Sequence, residues 1–126
     1  MAEHIRLQFP ADTEYIGAIR LAVSGIAGKM DFKVDEIEDL KSCVAEACIL
    51  LLCGQKCAAL DIGIDVDGEI RLKVEGTDVK PGECEDCAEF NEEISRIMIE
   101  ALSDDAEFHE ENGILYSIAF QKRHAS

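Results

Sequence analysis

The sequence predicts an α+β fold, a two-layer sandwich in which a mostly antiparallel sheet of about five strands carries three helices on one face. Three observations make that prediction. Apolar residues alternate with period two in five stretches and recur at helical spacing in three, in the order β-α-α-β-β-α-β-β. Asp67-Gly68 and Asn112-Gly113 each sit between alternating runs, a hairpin signal that demands antiparallel pairing. The chain has 126 residues, the size of one domain spanning 1–126, which is enough to bury a single core without staples. Helices that are apolar on one stripe must then lie against the sheet.

The elements follow in order. His4 to Phe9 places Ile5, Leu7 and Phe9 on one face of a strand, and Pro10 to Thr13 ends it, with Asp12 suited to cap a helix. Ile16, Ile19, Val23, Ile26 and Met30 mark the first helix, weakened at its end by Gly25 and Gly28. Asp35 is expected to open the second helix, with Glu38 completing a capping box. Ile37, Leu40, Val44, Ala47, Cys48 and Leu51 form its stripe. After Ile49 nearly every position is apolar, as in a helix buried all round.

Leu60 to Val66 and Ile70 to Val74 alternate around Asp67-Gly68, for which a type I′ turn is expected. Thr77 to Cys87 has no period and reads as a loop. Phe90, Ile94, Ile97, Met98 and Ala101 mark the third helix. Ala106 to Glu110 and Ile114 to Phe120 form the last hairpin.

Charge narrows the function classes. Twelve basic side chains face 27 acidic ones, a formal net charge of −15. Such a surface repels nucleic acid and anionic lipid and favours a basic protein partner, although solubility alone would also account for it. No run approaches the ~18 apolar residues that span a bilayer, and Met1 to His4 lacks the basic-then-apolar order of a signal peptide. A cytoplasmic location is expected. The six cysteines are then expected to be thiols or metal ligands and not disulfides.

The stretch FPADTEYIGAIRLAVSGIAGKMDFKVDEIEDLKSCVAEAC, Phe9 to Cys48, resembles the N-terminal half of the anti-sigma-factor serine kinases of Gram-positive bacteria, in particular their general-stress type. These belong to the histidine-kinase-like ATPase superfamily. The likeness is dense over EYIGAIRLAVSGIA and DEIEDLK..VAEAC, and from Gly54 onward it is mainly the order of elements. It implies that superfamily's fold with a truncated lid. It also implies a Glu on the second helix as general base, with an Asn four residues later that ligates Mg²⁺. Glu46 matches the Glu, but Leu50 stands at the Asn position and offers no oxygen to a hard cation.

The family's Asp-x-Gly, which holds the adenine, maps onto Asp78 with Lys80 at the Gly position. Where a Gly-rich lid should cradle phosphates, the chain reads GECEDCAEFNEEI, with acids at Glu83, Glu85, Asp86, Glu89 and Glu92. Glu46 and Asp78 are thus remnants of a catalytic base and an adenine contact. A solvated helical Glu and a solvated loop Asp are their bland readings.

The resemblance implies a regulatory protein that binds a sigma factor or an anti-sigma-factor antagonist, as a homodimer, with no nucleic-acid or membrane partner. The ATP site is expected to be lost and no cofactor is expected. The alternative is an active serine kinase of the same family, which would need ATP and Mg²⁺.

Cysteine spacing supplies a third reading. Cys53-x-x-x-Cys57 and Cys84-x-x-Cys87 would make a tetrahedral zinc–thiolate site if the two pairs met, and a zinc- or redox-responsive regulator would follow. Free thiols remain the alternative. Cys43 and Cys48 lie inside the second helix and read as small core residues. His4, His109 and His124 have no metal or triad spacing.

Overall fold

The structure, a computed structural model, describes residues 2–82, 87 and 89–123. Five strands, β1 (Glu3–Pro10), β2 (Ala59–Val66), β3 (Glu69–Thr77), β4 (Asp105–Glu111) and β5 (Ile114–Arg123), form one sheet in the order β1-β2-β3-β5-β4. Every neighbouring pair is antiparallel. Helices α1 (Ile16–Gly28), α2 (Val34–Cys53) and α3 (Glu92–Leu102) complete the expected sandwich.

Alternation along the strands puts Leu60, Ile62 and Ile64 of β2 and Ile70, Leu72 and Val74 of β3 into the core. Register pairs Ile62 with Val74 and Ile64 with Leu72, so the apolar side chains stack across the sheet. The opposite face of these strands carries charged residues, as in the Lys73–Glu75 ion pair.

The two hairpin dipeptides fold differently. Asn112 and Gly113 have φ values of 54° and 81°, the positive pair that a type I′ turn requires. At the other hairpin Gly68 has φ 72°, but Asp67 is absent from the positive-φ residues, and Val66 pairs with Ile70 across three intervening residues. The type I′ expectation fails there because a three-residue loop needs the left-handed conformation at glycine alone.

Asp12 accepts the Glu14 amide at 2.9 Å and starts a single 3₁₀ turn, Thr13–Tyr15, that leads into α1. Ile19, Val23 and Ala27 are its fully buried residues. The start of α2 lies earlier than the sequence suggests. The helix begins at Val34, and Glu36, not Glu38, reaches back to the Lys33 amide at 2.8 Å. Asp35 sits inside the first turn, where its charge favours the helix N-terminus. Further along, α2 packs against β3, β5, α1 and α3 together, and its second half is buried on nearly every side.

The stripe of α3 is a second correction. Ile94 and Ile97 are more than half exposed, whereas Ser95 and Ile99 are buried. The helix therefore turns its Ser95–Ile99 edge to α2 and leaves an apolar pair facing outward. No helix among the described residues is long and apolar enough to cross a membrane.

Candidate functional site

A cleft of about 660 Å³ opens where the N-terminal ends of α1 and α3 meet the second half of α2. Residues of α2 at helical spacing, Glu46, Ile49 and Cys53, form its inner wall. Thr13 and Ile16 close one side. Cys87, Glu89, Phe90 and Asn91 approach from the other side, followed by Ile94 and Ser95 of α3.

Glu46 is half-buried and accepts a hydrogen bond from Ser95 Oγ at 2.6 Å. That bond explains why a serine occupies a buried position of α3: its hydroxyl is satisfied by the carboxylate across the helix pair. Asn91 Oδ1 caps α3 by accepting the Ile94 amide at 3.1 Å. Phe90 packs its ring on Gly54, where an added Cβ would lie 3.4 Å from the ring edge.

Leu50 does not reach this cleft. It is 2 % exposed and belongs to the core, while Ile49 occupies the wall one turn after Glu46. Asp78 is absent from the cleft lining. It is exposed, just beyond β3, with φ 50°. Lys80 forms a two-bond backbone bridge with Lys56, at 2.8 and 3.0 Å. The Lys56 stem also fills the space beside Gly82, within 3.0 Å of where a Cβ would sit. The stretch after β3 is therefore tied to the α2–β2 connection.

Three features of the described residues bear on Mg-ATP. The metal would need an oxygen ligand where Leu50 is an apolar core side chain. The N-terminus of α3 has its Ile94 amide engaged by Asn91, and Glu92 and Glu93 fill its first turn. Among the described residues, Glu46 and Glu89 are the charged groups lining the cleft, and neither can neutralise a polyphosphate.

The cysteines depart from expectation. Cys53 and Cys87 are joined by a disulfide with Cα atoms 5.7 Å apart, so two cysteines from different pairs meet across the cleft. As a disulfide they have no thiolate to offer a metal. Cys57 points its thiol at the Leu51 carbonyl, 3.9 Å away, and Cys84 lies outside the described residues. No cluster of three metal-ligating side chains occurs among the described residues. Cys43 and Cys48 are core residues, 1 % and 0 % exposed, and burial pushes both thiols up to about 12. His4 and His109 are exposed and lie against Asp65 and Glu111, and His124 lies outside the described residues.

Sequence reasoning missed Ser95, Ile49, Asn91 and Phe90 as parts of one site. The FNEEIS run does carry a cap signal, an Asn ahead of two acids, but nothing local ties Ser95 to Glu46.

No family model matches the chain. The serine-protein kinase RsbW of Bacillus licheniformis is 55% identical over 47 residues, 37% of this chain and 29% of the relative. RsbW of Bacillus subtilis strain 168 is 53% identical over 47 residues, and that of Halalkalibacterium halodurans 50% over 46. The matched stretch thus spans less than a third of these relatives' own length. Among solved structures, one containing the RsbU and RsbW domains of a Mycobacterium tuberculosis protein superposes with a TM-score of 0.74 at 13% identity, covering 97% of this chain and 32% of that one. The chain therefore shares the fold of that structure along nearly its whole length and is, over 37% of it, a sequence relative of RsbW serine-protein kinases, the anti-sigma-factor kinase family that Phe9 to Cys48 resembles.

Proposed function

We propose that this chain is an anti-sigma-factor-like regulatory protein that works by gripping another protein, its Mg-ATP site given up. The burial of Leu50 carries this reading. The position that would supply a metal oxygen is part of the core, and Ile49 takes its place on the cleft wall. The partner is a sigma factor or an anti-sigma-factor antagonist, and a second copy of the chain completes a dimer.

The surface supports a protein partner of defined chemistry. Ile94 and Ile97, 55% and 56% exposed, lie on α3 between the exposed carboxylates of Glu93 and Glu100. Ile94 also borders the cleft. An amphipathic helix with an apolar stripe flanked by Lys or Arg matches that pattern, and the charge of −15 would speed its encounter.

Calorimetric titration of the full chain with Mg-ATP tests the reading. No saturable heat is expected up to about 1 mM, the range of a Kd worth only about −4 kcal/mol. Saturable binding that disappears in Glu46→Ala would overturn it.

One observation favours a second reading, an active serine kinase. Glu46 keeps a carboxylate in the cleft and accepts a hydroxyl hydrogen bond at 2.6 Å, the contact a general base makes with a serine nucleophile. Transfer of label from γ-phosphate-labelled ATP to a co-purified antagonist, absent in Glu46→Gln, would establish it.

A further inference from the structure

We infer that Cys53 and Cys87 are a reversible thiol–disulfide pair that clamps the approach to α3 onto the end of α2 and so sets the opening of the cleft. The inference stands on the cleft alone, independent of which partner fills it.

The position of the bond is the first argument. Cys53 is the last residue of α2, Cys87 lies four residues before the Asn91 cap of α3, and 34 residues separate the two in sequence. Both line the cleft. Beside the bond, the same two elements are joined by Phe90 packed on Gly54 and by the Ser95–Glu46 hydrogen bond. An aromatic contact and one part-buried hydrogen bond are individually weak. The covalent link is therefore the strong member of the set, and it is the one that a change of redox conditions can remove.

Selectivity is the second argument. Exchange proceeds through a thiolate on an accessible sulfur. Cys43 is 1 % exposed with its thiol directed at the Ile99 carbonyl, and Cys48 is wholly buried. Burial raises the thiols of both, and that of Cys57, away from the thiolate form. Cys87 is partly exposed, and Cys53 stands behind it on the cleft wall.

The chemistry needs one co-reactant class, a low-molecular-weight or protein disulfide. The Cys87 thiolate attacks that disulfide, forms a mixed disulfide and releases one thiolate. The Cys53 thiolate then attacks the Cys87 sulfur, closes the internal bond and releases the second. The pair gives up two electrons, and the external disulfide is reduced to two thiols. An external thiol reverses both steps.

The test equilibrates the full chain in glutathione/glutathione disulfide mixtures, traps free thiols by alkylation and maps them by peptide mass. Cys53 and Cys87 should lose their labels together while Cys43, Cys48 and Cys57 keep theirs once unfolded. Hydrogen exchange at the Ile94 and Ser95 amides, both held by Asn91, should be about tenfold faster in the reduced protein. Cys87→Ser should show the fast pattern without reductant, and Cys53→Ser should match it. Pairing of Cys84 with either cysteine, failure of the pair to form in excess glutathione disulfide, a bond that thiol cannot open, or equal exchange in the two states would each overturn the inference.

Discussion

Replacing Leu50 with asparagine restores the residue type that the resembling kinases use to hold Mg²⁺, and the structure predicts that it damages the fold without restoring the site. Leu50 is 2 % exposed in the main core cluster. Its loss forfeits roughly 1.5–3 kcal/mol of apolar burial. An amide of similar size then sits inside the apolar core cluster, which costs about 1–3 kcal/mol more. The sum, about 2.5–6 kcal/mol, is a large share of the ~5–15 kcal/mol stability of a domain. Urea unfolding followed by circular dichroism measures it, with Ile49→Asn as the internal comparison. Ile49 lies on the cleft wall and is half-buried, so its replacement should cost less than half as much. Calorimetry on whatever fraction of Leu50→Asn folds should show no Mg-ATP binding, because the carboxylates at Glu89, Glu92 and Glu93 remain. A penalty below about 1 kcal/mol, or saturable Mg-ATP binding by this single variant, would refute the placement of Leu50 and the reading built on it.

Other perturbations test separate parts of the frame. Gln55 is buried, accepts the Leu115 amide at 3.0 Å and donates to the Leu115 carbonyl, stitching the end of α2 to β5. Gln55→Ala should cost about 2–3 kcal/mol in urea unfolding, since both backbone groups lose their partner. Gly54→Ala should cost about 1 kcal/mol, because its Cβ would fall 3.0 Å from the Leu50 carbonyl and press on Phe90; a stabilised variant would contradict that packing. Cys43 and Cys48 predict an alkaline limit. Their folded-state thiols are raised to about 12 from 9.0, so the unfolded chain releases its protons first. The stability they contribute is complete below pH 9 and declines as pH rises from 9 toward 12, by about 1.4 kcal/mol per pH unit per group. The slope of the urea midpoint between pH 9 and 10.5 should be shallower in the Cys43→Ala/Cys48→Ala double variant than in the parent.

Where one physical cause dominates, the sequence was readable. The strands follow period two because one face of the sheet is covered and the other is charged. The second half of α2 reads as buried all round because four neighbouring elements pack on it. Asn112-Gly113 forms its two-residue turn because register leaves two residues between Glu111 and Ile114. The failures arise where two causes compete. In α3, Ile94, Ile97 and Ala101 make a better helical stripe than Ser95, Ile99 and Leu102, yet the second set faces α2. A hydrogen bond between Ser95 and a carboxylate 49 residues away settles the orientation, and no periodicity can register it. The Asp67-Gly68 turn fails for a similar reason, since strand register, set elsewhere in the sheet, adds a residue to the loop.

The departure from the resembling motif was legible in the sequence, but the cleft beside it was not. Glu46 followed by Leu50 suffices to show a departure from the Glu and Asn of the resembling kinases. It does not say that the cleft survives, because this depends on which of two adjacent residues, Ile49 or Leu50, faces it. The structure keeps Glu46, Ile49 and Cys53 on the cleft wall and turns Leu50 inward, which lets one helix serve a cavity and the core at once. Cys53 then extends the same wall to Cys87. The cleft is bordered by a covalent tie, an aromatic contact and a serine–carboxylate hydrogen bond. Of these three, the disulfide is the one that thiol–disulfide exchange can open, and the proposed clamp rests on that difference.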